Sequence, residues 1–411
     1  MLQGEIIATG TELITGQVAD CNARYAARRL YEAGLAVARL TTVGDRAPLI
    51  REILEQGLNR SQFIIITGGL GPTEDDVTLP AAALALDRRL VVHDGLLDRI
   101  RRCLGERQIP WEDRYASLAL IPEGAQLLDP GGMACGFSVK HREVRLFFLP
   151  GVPQEMRSLF DDCVLPALVA WAEPKEYWVQ RTLRLFGISE AQLQGVIHRI
   201  PEFQQGVTVG FYPHFPENHL SLTVRGENRA ELDAALDRLT VILAAEVGEV
   251  LLGPEDATLE DLVGRRLQAG KLTLAVAESC TGGLIGHRVT NVPGSSDYFL
   301  GGVVSYSNEA KLDLLMVPAE VLAQKGAVSP EAARAMARGV REVFHAAVGL
   351  AVTGIAGPSG GSPAKPVGTV YIGLATADGE DVWHYQFYGN RTEIKILTAE
   401  TALDRLRRKL K

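Results

Sequence analysis

The chain lacks most of the features that would place it outside the cell or on a polyelectrolyte. Its five cysteines in 411 residues, Cys21, Cys103, Cys135, Cys163 and Cys280, are odd in number and form no C-x-x-C pair. Neither a disulfide framework nor a zinc site is therefore indicated. No apolar run reaches the roughly 18 residues needed to span a bilayer. Met1 to Thr9 already reads as a strand, with no basic segment leading into a long apolar one, so no outward targeting is expected and a reducing cytoplasm is the natural setting. Basic blocks are absent as well. The formal charge of −8 is spread along the chain, which argues against a general grip on nucleic acid through phosphate neutralisation and leaves small anions at local sites. Hydrophobic residues at 46% and charged residues at 22% are those of a soluble globular protein, long enough for two or three domains.

What the chain does have is Thr67-Gly-Gly-Leu-Gly-Pro-Thr-Glu-Asp-Asp-Val-Thr78, directly after the apolar run Phe63 to Ile66. The run reads as a buried strand. Gly68, Gly69 and Gly71 allow a sharp turn and close approach to a ligand, Thr73 adds a hydroxyl, and Asp75 and Asp76 offer hard oxygen ligands. The combination suggests phosphate plus a divalent metal. It is neither a Walker loop nor Gly-x-Gly-x-x-Gly, and an acid-capped strand-to-helix turn is the structural alternative.

Around this stretch strands and helices alternate: Glu5 to Thr9, Ala23 to Ala33, Leu35 to Val43, Pro48 to Leu58, Phe63 to Ile66. The pattern predicts an α/β fold with a mostly parallel sheet covered on both faces, its ligands at the carboxyl ends of the strands, where Glu12, Asp45 and Asp75 fall. Leu79 to Leu86 and Gly95 to Leu104 read as helices, and an element from Ala116 should end at Pro122. Gly131 to Phe137 is a second small-residue loop. The strand Glu143 to Leu149 runs into Pro150-Gly-Val-Pro-Gln-Glu-Met156, equally a turn or a substrate loop, and then a helix through Leu168. Glu173-Pro-Lys-Glu176 and Gly253-Pro-Glu-Asp256 read as boundaries. Between them lies a small α+β module, with strands at Val179 to Phe186, Val207 to Tyr212 and His219 to Val224. Its isolated histidines, His198, His214 and His219, read as surface residues.

In the last third, the strand Leu272 to Ala277 delivers Glu278-Ser-Cys-Thr-Gly-Gly283 and then a helix from Leu284. A hydroxyl at such a junction suits an acyl-transfer nucleophile or, equally, a helix cap. Cys280 is a rival nucleophile. Two further strand ends, Tyr306-Ser-Asn-Glu-Ala-Lys311 and Thr353-Gly-Ile-Ala-Gly-Pro358, supply Tyr306 and Lys311 as proton-transfer candidates. Arg391, opening the last helix, can clamp a phosphate.

Taken in order, Gly10 to Leu13, Thr67 to Thr78, Pro150 to Met156, Ala277 to Gly283, Tyr306 to Lys311 and Thr353 to Pro358 resemble the CinA family over essentially the full length. The resemblance implies a molybdopterin-binding-like α/β domain at 1–172, a KH-like α+β module at 176–252 and an α/β/α deamidase domain at 258–411. It implies two hydrolases of pyridine-nucleotide recycling. One cleaves ADP-ribose to AMP and ribose 5-phosphate with a divalent metal, Mg or Co. The other converts nicotinamide mononucleotide to nicotinate mononucleotide and ammonia, with no cofactor expected. Carried over residue by residue, Asp45, Asp75 and Asp76 match the metal positions, and Gly68, Gly69, Gly71, Thr73 and Glu12 the first substrate loop. Ser279, Tyr306, Lys311 and Thr353 match the deamidase's catalytic positions, and Ser296, Asn308, Gly354 and Arg391 its substrate positions. In that reading, amides at the helix start after Ser279 receive the oxyanion together with Thr353, and Ser279 is activated in a Ser-Lys or Ser-Tyr manner. Two departures, Thr78-Leu79-Pro80 in place of Thr-Arg and the altered loop Asp129 to Gly136, bear on substrate affinity in the first domain. A homodimer without a membrane or a specific nucleic-acid partner is implied. Two rival readings are a non-hydrolytic pterin or nucleotide carrier and a competence-related interaction protein. Against the second, no Gly-x-x-Gly loop occurs between Arg181 and Ala245.

Overall fold

The computed structural model describes residues 2–129, 136–173, 176–254 and 257–410. Positions 130–135 of the second small-residue loop, Cys135 among them, lie outside the described residues, as do Pro174, Lys175, Glu255 and Asp256 at the expected boundaries. The chain forms two compact units, Met1–Gln180 with Val224–Ala234, and Arg181–Thr223 with Ala235–Lys411.

The first unit runs β1 (Gln3–Thr9), α1 (Thr11–Ile14), α2 (Asn22–Glu32), β2 (Ala36–Val43), α3 (Ala47–Leu58), β3 (Phe63–Thr67), α4 (Thr78–Ala85), β4 (Leu90–Val92), α5 (Asp94–Glu106), β5 (Leu120–Pro122), β6 (Gln126–Leu127), β7 (Phe137–His141), β8 (Val144–Leu149), α6 (Pro153–Leu159) and α7 (Leu165–Ala172). Its main sheet has the order β2-β1-β3-β8-β7-β6. The first four strands are parallel, β7 runs against them, and β6 pairs antiparallel with β7. Successive residues of β1 and β3 serve opposite cores: Ile7, Ile64 and Ile66 join one, Ile6, Phe63 and Ile65 the other. A sheet buried on both faces needs this, and it is why the strands read as unbroken apolar runs.

Three local expectations differ from the structure. The element ending at Pro122 is a 3-10 turn over Asp113–Ala119 followed by β5, whose last residue is Pro122, paired with the short β4. Strand β7, which lies beside the second small-residue loop, was not expected. The helix through Leu168 is broken by a π turn at Phe160–Val164 just before Pro166. A proline has no N–H for the carbonyl four residues earlier, and the turn widens to accommodate the loss.

The second unit holds most of a four-stranded sheet, β9 (Tyr177–Leu185), β10 (Val207–His214), β11 (Glu217–Gly226) and β12 (Leu251–Pro254), in the order β10-β11-β9-β12, with helices α8 (Glu190–Arg199) and α9 (Arg229–Val247). It continues through α10 (Leu259–Gly270), β13 (Leu274–Glu278), α11 (Leu284–Thr290), β14 (Phe299–Val304), α12 (Asn308–Leu315), α13 (Ala319–Gln324), α14 (Pro330–Val343), β15 (Val348–Gly354), β16 (Thr369–Thr376), β17 (Gly379–Gln386) and α15 (Arg391–Lys409). The sheet order is β14-β13-β15-β16-β17, with the first three strands parallel. One face packs Leu274, Val276, Leu350 and Val352 against α10 and α15; the other packs Ala275, Ala277 and Ala351 against residues of α12 and α14. Among the described residues no helix is long and apolar enough to cross a membrane.

Candidate active site

The carboxyl ends of β13, β14 and β15 set the better-defined site. Backbone register brings Glu278 level with Val304 on one side and Val352 on the other. The next residues, Ser305, Ser279 and Thr353, therefore form a row of buried hydroxyl side chains across three adjacent strands. On the alternation of each strand the row faces the side covered by α12 and α14, and α12 delivers Lys311 to it. The Lys311 Nζ lies 3.1 Å from Ser279 Oγ, donates to the carbonyl oxygen of Ser305 at 2.7 Å and reaches that of Ser307 at 3.5 Å. Lys311 is 1% exposed, and no carboxylate pairs with it among the described residues. Burial holds its pKa below the usual lysine value.

A neutral amine has two N–H donors and one lone pair. In that form the carbonyls of Ser305 and Ser307 would take both donors and leave the lone pair for the hydroxyl of Ser279. Cys280 is in the opposite condition. Burial pushes its thiol up to about 12, so at neutral pH it is a thiol and not the thiolate that nucleophilic attack requires.

The turn after Ser279 is built by Gly282 and Gly283, both left-handed with φ of 64° and 98°, a conformation that side chains other than glycine rarely adopt. Helix α11 starts only at Leu284. Its first amides are not free: Gly283 and Ile285 donate to Glu278 Oε2 at 2.9 and 3.1 Å, Gly286 to Oε1 at 2.8 Å, and the Thr281 hydroxyl to Oε2 at 2.7 Å. The expectation that these helix amides receive an oxyanion is therefore corrected: a buried carboxylate already occupies the positive end of α11. Thr353 is corrected in the same way, because its hydroxyl donates to the carbonyl of Ala327 at 2.7 Å. Within the turn, the amides of Thr281 and Gly282 donate to nothing among the described residues.

Tyr306 and Lys311 do not act on one atom. The exposed Tyr306 hydroxyl accepts from Arg391 Nη2 at 2.9 Å, while Arg391 Nη1 donates to the carbonyl of Gly357 at 2.7 Å. Arg391 is the first residue of α15, whose cap Asn390 accepts from the amide of Glu393. Asn308 opens α12 behind its cap Ser307 and is exposed. Gly354 ends β15 where a side chain would strike Val370 and Thr369 of β16, so its smallness is required by packing. Ser296 is the outlier. It is exposed in the turn Ser295–Asp297 before β14, at the end of the sheet opposite Ser279, so this chain does not bring it to the other candidates. Glu278 and Gly357 carried no role in the sequence reading. A buried acid five to eight residues ahead of helix amides is the signal that would have found Glu278.

In the first unit a second left-handed glycine pair, Gly68 and Gly69, with φ of 102° and 65°, folds the loop after β3 back onto β1. A side chain at Gly68 would strike Thr9, and one at Gly69 would strike Thr78. Buried polar groups tie the strand ends together. Thr9 Oγ1 lies 3.1 Å from Thr78 Oγ1, Thr67 Oγ1 donates to the carbonyl of Pro150 at 3.0 Å, and Asn22 Nδ2 donates to Thr67 Oγ1 at 3.1 Å and to the carbonyl of Gly151 at 2.8 Å. Asn22 is a residue the sequence reading passed over. The loop lies where the chain leaves β1 for β2 on one side and returns to β3 on the other, the switch point at which open α/β sheets bind ligands.

The acids of this loop are engaged internally. Asp45 Oδ2 accepts from the amide of Thr11 at 2.7 Å, and the amide of Asp45 donates to Thr11 Oγ1 at 3.2 Å. Asp76 accepts from both the amide and the hydroxyl of Thr73 and lies close over Gly71. Asp75 is exposed, and hydrogen bonding to Thr73 and to its own backbone lowers its pKa. The Glu12 carboxylate folds over Gly10. Among the described residues no three acids, histidines or cysteines converge on a metal position. That donor set does not make a protein-only cage. An octahedral cation of the Mg²⁺ type takes one or two carboxylates and completes its shell with water and substrate phosphates, and the exposed Asp75 is the acid that would be open to one.

Residues 5–170 match a probable molybdopterin binding domain, 180–253 the damage-inducible protein CinA KH domain, and 256–410 the CinA C-terminal domain. A CinA-like protein of Geobacter sulfurreducens is 44% identical over 405 residues, covering 98% of each chain. A putative competence-damage inducible protein of Moorella thermoacetica is 41% identical over 411 residues, 100% of this chain and 99% of that one. Among solved structures, the competence/damage inducible protein CihA of Agrobacterium tumefaciens is 44% identical over 36% of this chain and 93% of its own, with a TM-score of 0.34. With full-length relatives at this identity, the chain belongs to the CinA family.

Proposed function

We propose that the chain is a bifunctional hydrolase of pyridine-nucleotide recycling, deamidating nicotinamide mononucleotide at the Ser279 site and hydrolysing ADP-ribose at the Gly68 to Asp76 loop. The observation that carries the first activity is the buried Lys311 amine, held by two carbonyls with its third position on Ser279 Oγ. Lys311 takes the hydroxyl proton as Ser279 Oγ attacks the carboxamide carbon. The tetrahedral oxyanion is received by the amides of Thr281 and Gly282. The Lys311 ammonium then returns its proton to the departing nitrogen, which leaves as ammonia. Water, deprotonated by the same amine, resolves the acyl-serine to the carboxylate. Arg391, steadied by Gly357 and Tyr306, stands at a helix start suited to the substrate phosphate. Product analysis with nicotinamide mononucleotide tests this directly: ammonia and nicotinate mononucleotide should appear, and Ser279→Ala should abolish both.

For the first unit, Asp75 and Asp45 would hold the divalent ion, with Asp76 keeping the Thr73 turn in shape. When bound, the ion polarises the pyrophosphate and lowers the pKa of a water. The amides of Gly69 to Gly71 bind phosphate oxygens, that of Gly68 donating instead to the carbonyl of Leu149, and the Thr9–Thr67–Thr78 network holds that loop rigid. The internal bonding of Asp45 and Asp76 also favours a second reading, a nucleotide-binding domain without turnover. Release of AMP from ADP-ribose with and without Mg²⁺ or Co²⁺ separates the two.

A further inference from the structure

Inside the second unit, away from Ser279, a set of buried charges does not balance. Arg184 on β9 makes a two-pronged pair with Glu217 on β11, at 2.6 and 2.5 Å, and donates to the carbonyl of Ala257. Arg288 on α11 donates to Glu400 on α15 and to Glu260 on α10, each at 2.6 Å. Glu217 and Glu400 lie within hydrogen-bonding reach of each other, joining the two pairs. Glu217 is 5% exposed and Glu400 2%. Three carboxylates thus face two guanidiniums, one negative charge too many for a region with little water.

Glu400 Oε1 is buried and has no donor, and two carboxylates in contact cannot hydrogen-bond without a proton. The other titratable groups nearby are His219 on β11, with Nε2 3.5 Å from Glu217 and otherwise unpartnered, and His214 on β10, stacked on it at 4.4 Å. Burial and the neighbouring His214 keep His219 below its usual pKa, so it is a poor carrier of the missing positive charge.

We infer that Glu400 carries a single proton donated to Glu217, and that this bridge is a pH-operated latch fastening β11 to α15 and α11, closed in mild acid and loosened as pH rises through neutrality. Burial raises the Glu400 pKa to about 7, while at Glu217 the Arg184 pair outweighs burial and keeps the acid ionised, which places the proton on Glu400. The sign follows from linkage. Between the ordinary glutamate value and neutrality the closed form holds a proton that the open form releases, so closure weakens with rising pH. The latch reaches the candidate site through its two helices, since α11 follows the Ser279 turn and α15 begins at Arg391. It stands independently of the deamidase reading.

Hydrogen exchange on the full chain from about pH 5 to about pH 8, expressed as protection factors corrected for intrinsic exchange, tests the inference. One proton gives at most about a tenfold loss of protection per pH unit. That loss is expected at β11 and in the middle of α15 below about pH 7, levelling off above it, with Glu400→Gln flat and fixed at the protected level. A flat wild type, or a Glu400→Gln protein that keeps the slope, overturns it. A slope that vanishes in His219→Gln and persists in Glu400→Gln overturns it too, since the proton then sits on the imidazole. Carbon NMR of carboxyl-labelled glutamate in the wild type covers the case of a variant that fails to fold. One glutamate must titrate near neutrality, and if every resolved glutamate titrates in the ordinary range the latch does not exist.

Discussion

Replacing Lys311 with methionine keeps the length of the side chain and removes the amine, which isolates its chemistry from its packing. The structure sets the stability cost. The substitution removes a 2.7 Å hydrogen bond to Ser305, a long one to Ser307 and the contact with Ser279. Bonds of this kind contribute roughly 0.5–1.5 kcal/mol each. Against that, an amine buried without a counter-ion is itself unfavourable, and methionine relieves the burial. The net change should stay within about 2 kcal/mol, a shift of at most roughly 5–8 °C in the unfolding midpoint. Catalysis should fall much further, by about 10²–10⁴, the usual contribution of a positioned general base. Burial holds the Lys311 pKa below its usual value, and the active form is the neutral one, so wild-type kcat/KM should rise with pH through that lowered pKa and then level off. Lys311→Met should lose this acid limb along with the rate. Ammonia release measured from acid to alkaline pH, beside a thermal scan, gives both readouts. A folded Lys311→Met protein with wild-type kcat, or with an unchanged acid limb, would refute the assignment of the base.

Four further outcomes follow from the same geometry. Glu278→Ala strips four donors of their acceptor at the start of α11, and with buried amides left unpaired it should destabilise by about 3 kcal/mol or more and abolish deamidation, read as a lowered unfolding midpoint. Cys280→Ala removes a thiol that is protonated at neutral pH and should retain activity within a few-fold; inactivity with Ser279→Ala unaffected would transfer the nucleophile to sulfur. Arg391→Ala should raise KM for the mononucleotide by about tenfold or more with little change in kcat, because phosphate binding is similar in ground and transition states. Asp75→Asn should abolish AMP release from ADP-ribose while leaving ammonia release unchanged, and undiminished AMP release at saturating Mg²⁺ would remove Asp75 from the metal position.

The inner strands β3 and β15 could be read from sequence because each is an apolar run with a glycine within two residues of its end, and a strand buried on two faces has no other pattern to show. Phe63 to Ile66 and Leu350 to Val352 are the clearest cases. The short strands β4 to β7 were not legible. Two or three residues carry no period, and β7 follows a loop of small residues that gives no register. The candidate site divides in the same way. Ser279, Lys311 and Arg391 stand out as chemical types at strand and helix ends, but sequence cannot say which side chains meet. Tyr306 and Lys311, five residues apart, leave in different directions because Ser307 caps a helix between them. That one cap buries Lys311 beneath Ser279 and leaves Tyr306 outside on Arg391.

Why a lysine serves here and not a histidine can be argued from the sheet itself. The parallel strands β13, β14 and β15 bring three hydroxyl-bearing residues level at their carboxyl ends, and small residues lie beneath them: Ala275, Ala277 and Ala351. Such a floor lets α12 approach closely and gives a long unbranched side chain a dry channel to the row from below. An imidazole reaching the same point would need a partner on its far nitrogen to fix its tautomer, and the alanine floor offers none. An ammonium entering that channel meets two carbonyl oxygens and the Ser279 hydroxyl, which accept its protons without matching its charge, so burial favours the neutral amine. The apolar floor that makes the lysine costly to bury is thus the feature that lowers its pKa and favours its basic, neutral form. A carboxylate introduced beside it, for example by Ala277→Asp, should restore the ammonium and suppress deamidation even with Ser279 and Lys311 in place.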